Sequence, residues 1–281
     1  MHAPNQISLA AKASGEPEFR EIGLGPWSET HPGEPRPDDP TSSNYDGRFD
    51  SVLLNDGDRR NVLDRYRYWT VAAIKADLDA RGRHDFEVAV ENWTHDFNIG
   101  SMVRTANAFQ AKRVHIVGPH KWNRKGALMT ELYQHVEHHP IAELVESWHH
   151  RIAGEIAYER AKAGAAAIHA HDVAVDGDNK HLHELLAEID ACDARIKELQ
   201  AARVIALDII PGAVPMEAYA FPKRCLLLFG AEGPGLSEKA LALADDVVYI
   251  SQFGSVRSIN AGAAAAVAMH AWIAQHAVSG V

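Results

Sequence analysis

An asparagine and an arginine stand at the start of one predicted helix. Asn98 precedes a stretch with helical pattern, 99–109, and Arg104 follows it six residues later. An asparagine side chain can cap a helix or hold a substrate by hydrogen bonds, whereas an arginine can grip a phosphate or orient a hydroxyl group. Taken alone, the pair fits a helix cap and a solvated arginine as well as it fits a binding site.

A glycine-rich loop follows a strongly apolar segment further along the chain. The predicted strand 226–229 runs into a loop that contains Gly230, Glu232 and Gly235, and a helix is expected to begin near Ser237. Glycines let a backbone approach a ligand closely, and a helix N-terminus offers free N–H groups. The loop lacks the lysine of a phosphate-binding loop and the GxGxxG fingerprint of dinucleotide-binding folds. Either a different kind of ligand pocket or a simple tight turn explains it.

The third notable segment, 250–260, joins a predicted strand to a helix rich in alanine. Ser258 has the type and position of a helix cap, and the helix predicted over 258–276 begins with small residues. Asn260 adds a second amide side chain to this segment. A cap and a buried helix are sufficient to explain the segment when it is taken alone.

A parallel sheet must position these segments. After residue 85 the chain alternates short apolar stretches with helical ones, which predicts an α/β fold: a mainly parallel sheet with helices on both faces. Ligands of such sheets bind at loops that leave the carboxyl ends of strands. The predicted strands are 86–90, 114–117, 165–170, 204–207, 226–229 and 247–250, with further helices at 140–163 and 181–201.

The part of the chain before residue 86 differs in composition from the rest. Seven of the thirteen prolines fall in the first 40 residues, among Gly, Ser and Glu, so 1–50 is predicted to be a flexible tail. Apolar residues spaced by three and four predict an amphipathic helix from Asp58 to about Ala80 in an N-terminal helical extension, 51–85. The main domain is expected over 86–281, with an acidic insertion at about 176–201.

Considered together, the three segments resemble the sequence motifs of one enzyme family. Asn98 with Arg104, the strand and loop 227–237, and the segment 250–260 occur in the order and at the positions of motifs 1, 2 and 3 of the SpoU (TrmH-like) RNA 2′-O-ribose methyltransferases. The resemblance covers roughly 86–281. It implies the SPOUT fold, in which the C-terminal segment forms a deep trefoil knot, an exception to the rule that chains are unknotted.

The resemblance also implies a methyl donor, S-adenosylmethionine (AdoMet), and a homodimer whose interface borders the active site. The donor is expected in the loops of motifs 2 and 3, held largely by backbone atoms. The expected cofactor-binding residues are Leu207, Gly230, Ala231, Gly235, Ile250, Gln252 and Ile259.

By the same resemblance, Arg104 is the main candidate for catalysis. A ribose 2′-hydroxyl is a poor nucleophile near neutral pH, so a site must help to remove its proton and align it. Arginine is normally too basic to accept a proton, so Arg104 acts either as an unusual base or as the group that orients the hydroxyl while another base acts. The other expected catalytic residues are Asn98, Glu232, Ser258 and Asn260.

The chain is acidic overall, but its charge is unevenly distributed. It has 28 Lys and Arg residues against 38 Asp and Glu, a formal net charge of −10. Positive charge is concentrated at 59–83, with seven bases against three acids, and at 112–130, with five bases and no acid. Such patches can bind an RNA backbone in spite of the negative total. The expected RNA-binding residues are Arg59, Arg60, Arg67, Lys121, Arg124 and Lys125.

Several other classes are disfavoured by composition. No run of about 18 apolar residues is present and no signal peptide begins the chain, so a cytoplasmic protein with no membrane partner is expected. Cys192 and Cys225 lie far apart without a CxxC pattern, which argues against a disulfide framework or zinc module. The group His135, His138 and His139 is weak evidence for zinc without a matched second pair, so no metal is expected.

The sequence leaves the substrate and two rival functions open. A tRNA guanosine is favoured over ribosomal RNA, because the residues before motif 1 leave no room for the separate RNA-binding domain of many relatives that act on ribosomal RNA. One rival is a catalytically silent RNA-binding paralogue, against which the presence of Arg104 and Asn260 argues. The other is a nucleotide-binding metabolic enzyme, against which the missing fingerprints argue.

Overall fold

The computed structural model describes residues 5–14, 23–93, 97–176 and 178–277. The chain divides into two compact units, Met1–Asp77 and Leu78–Val281. Among the described helices, none is both long and apolar enough to cross a membrane.

The first unit consists of short helices around a small aromatic core. Trp27, Leu54 and Tyr68 are buried together in this core. The helices are α1 (Gln6–Ala13), α2 (Trp27–Thr30), α3 (Ser51–Asp56) and α4 (Val71–Ala80), with a 3-10 turn at Asp64–Tyr66.

The segment predicted to be a flexible tail, 1–50, is described for residues 5–14 and 23–50. Within 23–50, Arg36 donates two hydrogen bonds to Asp38, and Asn44 Nδ2 donates to the carbonyl of Pro35. Trp27 is buried. One buried tryptophan and local polar contacts offset part of the ordering entropy. The flexibility of the segment stays a prediction.

The prediction of a helix from Asp58 to about Ala80 is wrong in its first half. Tyr68 has a φ of +61°, in the left-handed region, which a continuous α-helix cannot contain. The helix therefore begins only at Val71, where Thr70 Oγ1 accepts a hydrogen bond from the Ala73 amide.

The second unit is built on one seven-stranded sheet in the order β3-β2-β1-β6-β4-β7-β5. Every pairing between neighbouring strands is parallel, as the sequence predicted. The carboxyl ends of the strands therefore open at one edge, which brings the loops of the three motifs into one region. The strands are β1 (His84–Glu91), β2 (Ala111–Val117), β3 (Val136–His139), β4 (Arg203–Leu207), β5 (Val214–Pro215), β6 (Cys225–Phe229) and β7 (Asp246–Tyr249).

Helices cover both faces of the sheet, because successive strand residues point to opposite sides. Val88 and Leu227 belong to one core together with Met102 and Met269. Leu226 and its neighbours on the opposite face belong to a second core that contains the fully buried Trp148. The helices are α5 (Asn98–Ala108), α6 (Ile141–Asp176), α7 (Asn179–Gln200), α8 (Glu238–Ala242) and α9 (Ala261–His276), with 3-10 turns at Lys125–Ala127, Thr130–Leu132 and Met216–Ala218.

One predicted strand within this unit is a helix in the structure. The strand predicted at 165–170 lies inside the long helix α6, because its alanines are strong helix formers. The helix predicted at 181–201, within the predicted acidic insertion, is confirmed as α7, which packs against α6 through Ala166, Ala170 and Leu185. The short strands β3 and β5 were not predicted, because β3 is polar and β5 is two residues long.

Candidate active site

A cavity of about 270 Å³ lies at the carboxyl ends of β4, β6 and β7. Its walls come from the loops that follow these three strands. All seven residues expected to bind a cofactor line this one cavity: Leu207, Gly230, Ala231, Gly235, Ile250, Gln252 and Ile259. Glu232 and Ser258, expected to be catalytic, line it too.

The glycine-rich loop folds back on itself at the cavity wall. A Cβ at Gly230 would lie 2.1 Å from the carbonyl carbon of Gly235 and 2.3 Å from the Leu236 amide nitrogen. The Gly235 amide donates a hydrogen bond to the Ala231 carbonyl (3.1 Å), and Gly235 has a φ of +74°. Only glycine fits such an approach at 230, and glycine is favoured at 235.

Two acidic residues that the sequence analysis did not single out hold this loop. Asp208, directly after β4, accepts a hydrogen bond from the Leu236 amide (3.2 Å). Glu91, buried at the end of β1, accepts bonds from the amide and the hydroxyl of Ser237 (both 2.7 Å). Ser237 Oγ in turn accepts from the Ala240 amide and caps α8. An acidic residue at the end of an apolar strand was the available clue.

The motif 3 loop brings a polar group into the cavity wall. Gln252 lines the cavity, and its Oε1 is buried with no hydrogen-bond partner among the described residues. A buried acceptor without a donor is costly, so this atom is suited to a ligand that carries N–H or O–H groups. Ser258 is exposed at the cavity rim.

The cap of α9 is Asn260, not Ser258. Asn260 Oδ1 accepts a hydrogen bond from the Ala263 amide (3.2 Å), and the helix begins at Ala261. The prediction of a helix start at Ser258 is therefore wrong by three residues. Both residue types favour N-cap positions, so the type alone could not decide between them.

Three expected catalytic residues meet in one polar cluster, formed by Asn98, Glu232 and Asn260. Asn260 Nδ2 donates to Asn98 Oδ1 (2.9 Å) and to Glu232 Oε2 (3.3 Å), and Asn98 Nδ2 donates to the same carboxylate oxygen. The cap fixes the amide orientation, because Oδ1 of Asn260 faces the helix and its NH₂ group must then face the cluster. The three motifs are thus joined at the cavity edge through Glu232.

Arg104 is not part of this polar cluster. It lies on α5, six residues beyond Asn98, which at about 100° per residue places it about 120° around the helix. Its side chain is exposed and makes no hydrogen bond or ion pair with another described residue. The guanidinium is therefore free to contact an external group.

Three of the expected RNA-binding residues lie on an exposed loop beside the start of α5. Lys121, Arg124 and Lys125 are exposed, and the Arg124 guanidinium lies 5.8 Å from the centre of the Trp122 ring. The loop packs closely on α5, since a Cβ at Gly100 would lie 2.8 Å from the Ala127 amide nitrogen. This contact holds the basic loop near the helix that begins at Asn98.

The other three expected RNA-binding residues belong to the first unit, and two of them are used inside it. Arg60 forms an ion pair with the buried Asp58 (2.7 Å) and donates to the Trp69 carbonyl. Burial acts to raise the pKa of Asp58, but hydrogen bonds from Arg60 and the Tyr68 amide outweigh it and lower that pKa. Arg67 donates to the Arg60 carbonyl.

Arg60 and Arg67 are thus structural residues, contrary to the expectation from charge clustering. Only 10% and 13% of their side-chain surfaces are exposed. Arg59 is exposed and remains a candidate for phosphate contact.

Comparison with known families identifies the part of the chain that carries the cavity. Residues 159–270 match the model of the SpoU rRNA Methylase family. The match covers 112 of the 281 residues. The matched segment includes the loops of motifs 2 and 3 and therefore the cavity wall and two members of the polar cluster.

Curated relatives match shorter stretches. A tRNA (guanosine(18)-2′-O)-methyltransferase of Saccharomyces cerevisiae is 31% identical over 107 residues, 37% of this chain and 8% of the yeast protein. The enzyme of the same name from Thermus thermophilus is 51% identical over 47 residues, 17% of this chain and 24% of that protein. The chain thus matches less than a quarter of the length of either relative.

Solved structures of SpoU proteins also resemble the chain. The SpoU methyltransferase AviRb from Streptomyces viridochromogenes, in complex with AdoMet, is 22% identical over 69% of this chain and 58% of its own, with a TM-score of 0.47. The A. aeolicus TrmH/SpoU tRNA modifying enzyme is 14% identical over 73% and 81%, with a TM-score of 0.48.

Proposed function

We propose that this protein transfers a methyl group from AdoMet to a ribose 2′-hydroxyl of RNA. The observation that carries the proposal is the position of Glu232, which lines the cavity and accepts hydrogen bonds from Asn98 and Asn260. A cofactor in the cavity and a substrate at the polar cluster would then meet at this carboxylate. Proximity of that kind is the main requirement for a displacement reaction.

The cavity fits AdoMet by the chemistry of its walls. The unpartnered Oε1 of Gln252 can accept a bond from an amino group, and the glycine-rich loop exposes backbone groups at close range. Leu207, Ile250 and Ile259 offer apolar contacts. AdoMet, when bound, supplies an electrophilic methyl group on a positively charged sulfur, and the carboxylate of Glu232 favours such a charge.

The side chains of the polar cluster position the ribose. Asn98 and Asn260 hold Glu232 in one orientation, and the α9 cap holds Asn260. Arg104 is exposed on the same helix as Asn98, where its guanidinium can bind the phosphate next to the target ribose and orient the 2′-hydroxyl. In this role Arg104 favours loss of the hydroxyl proton to another base, such as solvent water, and does not accept the proton itself. Ser258 lies at the cavity rim and can contact the substrate.

We favour tRNA as the substrate, with ribosomal RNA as the alternative. The curated relatives with matching segments are tRNA guanosine 2′-O-methyltransferases. The name of the matching family, in contrast, refers to ribosomal RNA. The basic loop at 121–125 supports contact with either RNA, because Trp122 and Arg124 combine an aromatic surface with positive charge.

We also propose that the protein is a homodimer with a knotted C-terminal part. An exposed Arg104 suits a site that a second copy borders. The chain runs from β5 at one edge to β6 in the middle of the sheet and then to β7, an order that a threaded C-terminal segment would require. Sedimentation analysis tests the dimer, and a crystal structure whose chain traces without threading would contradict the knot.

The decisive experiment is transfer of radiolabelled methyl from AdoMet to purified tRNA and ribosomal RNA. Because alkali cleaves RNA through a free 2′-oxygen, an alkali-resistant labelled position identifies ribose methylation. We expect label in tRNA, and we expect Arg104→Ala to lower kcat by about 10²- to 10⁴-fold with AdoMet affinity unchanged.

The matched control is Arg160→Ala, which removes another exposed arginine from the same unit, on α6. It should retain full activity. Label only in ribosomal RNA would favour the alternative substrate. Intact protein that does not bind AdoMet would overturn the enzyme proposal and support the silent RNA-binding paralogue.

A further inference from the structure

Three side chains of metal-binding types converge near the edge of the sheet, away from the cavity. His115 on β2 is the register partner of Glu137 on β3, and His139 follows two residues later on the same face of β3. One ligand atom from each of these residues lies within 4.8 Å of the other two. The three side chains come from two paired strands, which hold them rigidly.

His115 presents a bare nitrogen to this group. Its side chain is fully buried, and its Nε2 is 2.8 Å from Glu87 Oε2. Glu87 is also bound by Arg224 (2.8 Å) and Arg151 (2.9 Å), so it is an ionised acceptor. Nε2 therefore donates a hydrogen bond to Glu87, and Nδ1 is the ring nitrogen left to face Glu137 and His139.

Nδ1 of His115 has no hydrogen-bond partner among the described residues, although it is buried. The oxygen nearest to it in this group is Glu137 Oε2, at 3.7 Å, which is beyond hydrogen-bonding distance. A buried polar nitrogen without a partner is costly. A metal ion between His115 and Glu137 would supply the partner that Nδ1 lacks.

Glu137 and His139 complete the coordination geometry. Arg113 binds Oε1 of Glu137, and the other oxygen, Oε2, is hydrogen-bonded to His139 Nε2 at 3.2 Å, a contact that a shared metal ion would replace. In a tetrahedral zinc site with bonds of about 2.0–2.1 Å, ligand atoms are about 3.3 Å apart. The observed separations of 3.2 and 3.7 Å bracket that value.

We propose that His115 Nδ1, Glu137 Oε2 and His139 Nε2 bind one Zn²⁺ ion, with water as the fourth ligand. Two imidazoles and one carboxylate are a donor set that zinc prefers. Glu87 orients His115 from behind, as carboxylates do for zinc-bound histidines. About 30% of the side-chain surface of Glu137 and of His139 is exposed, so an ion and its water can enter.

The ion would tie the four-residue edge strand β3 to β2. The positions of the three ligands in the chain also explain why the sequence did not predict a metal site. In the HxxHH stretch, His135 is bound to Asp79 (2.9 Å) and His138 is exposed on the other face of β3. Of these three histidines, only His139 is a proposed ligand. The other two ligands are His115, on the neighbouring strand β2, and Glu137, which lies between His135 and His138 in the sequence.

The test uses the full chain, freed of metal with a chelator and titrated with Zn²⁺ by calorimetry and with Co²⁺ by visible absorption. We expect one ion per chain and tetrahedral Co²⁺ bands. His139→Ala should weaken Zn²⁺ binding by at least about 100-fold, since even loss of an orienting partner costs about 10- to 100-fold. Glu137→Gln should weaken it too. His138→Ala, from the same strand, is the matched control and should bind normally.

Thermal melting separates loss of the site from loss of the fold. Zn²⁺ should raise the melting temperature of the wild type and of His138→Ala, but not that of His139→Ala, whose metal-free melting should remain cooperative. Equal Zn²⁺ affinity in the wild type and in His139→Ala would overturn the proposal, as would octahedral Co²⁺ spectra.

Discussion

Two polar groups on the same sheet are built in opposite ways. The polar cluster at the carboxyl edge takes its side chains from loops and helix starts, and solvent reaches it. The second group, which we name the buried ion network, consists of Glu87 with Arg224, Arg151 and His115 in the middle of the sheet. Glu87, Arg224 and His115 are fully buried.

The difference concerns what each group can do. The polar cluster uses amides and one carboxylate, so holding it together requires little removal of charge from water, and its groups remain open to a substrate. In the buried ion network each charge depends on its partners, because a buried unpaired charge is strongly unfavourable. One group presents polar side chains to solvent at an edge, and the other links β1, β2 and α6 through buried ion pairs.

Loss of Glu87 should have the largest effect on stability. Glu87→Gln leaves the buried Arg224 without its closest carboxylate, which should lower the free energy of unfolding by about 3–5 kcal/mol. Urea denaturation measures this change. The control is Lys223→Ala, the exposed neighbour that pairs with Glu198, which should cost no more than about 1 kcal/mol. AdoMet affinity should be unchanged in both variants. If Glu87→Gln lowered the free energy of unfolding no more than Lys223→Ala does, the buried ion network would contribute no more to stability than an exposed ion pair.

Acid should weaken the buried ion network selectively. Burial acts to raise the pKa of Glu87, but the His115 hydrogen bond and the nearby arginine charges outweigh it and lower the pKa from 4.5 to about 2. Because the folded pKa is lower than the unfolded one, this stabilisation is complete above about pH 5 and is lost as the pH falls toward 2. The loss is on the order of 3 kcal/mol.

Urea midpoints of wild type and Glu87→Gln between pH 5 and pH 2 isolate this contribution. The variant should show a shallower fall, because other carboxylates titrate in both proteins. Parallel curves for the two proteins would show that Glu87 does not have a lowered pKa.

A substitution at Gly230 should alter the cavity and leave the buried ion network unchanged. A Cβ at Gly230 would collide with the backbone of 235–236, which cannot move aside as a flexible side chain could. Gly230→Ala should cost about 1–3 kcal/mol of overpacking, seen as an AdoMet affinity lower by about 10- to 100-fold. Gly254→Ala is the control, since a Cβ there meets open space at an ordinary φ. Equal affinities would show that the glycine loop does not shape the cofactor site.

The smallest expected effect is on the cap of α9. Asn260→Ala removes the cap and should lower stability by about 1 kcal/mol. It also removes the hydrogen bonds to Asn98 and Glu232. The rate of methyl transfer should therefore fall by more than the loss of folded protein explains. Ser258→Ala should leave stability unchanged, because its side chain caps nothing. If Ser258→Ala were the more destabilising variant in urea denaturation, the sequence-based cap would be right.

Much of the site could be predicted from residue types and order. The expected cofactor residues line one cavity, and Asn98, Glu232 and Asn260 are in contact. The errors arose where local pattern was ambiguous: Ser258 and Asn260 are both good caps, and an alanine-rich stretch at 165–170 fits strand or helix. Charge clustering failed for Arg60, because a sequence does not show that Asp58 is buried beside it.

The alternation of apolar and helical segments determined the α/β class and the positions of most strands, since these depend on short-range periodicity. Tertiary structure alone decided which strands are neighbours. The insertion of β6 between β1 and β4 brings Glu232 to Asn98. The pairing of β2 with β3 likewise sets His115 opposite Glu137. Such pairings depend on how distant surfaces pack, and no local pattern encodes them.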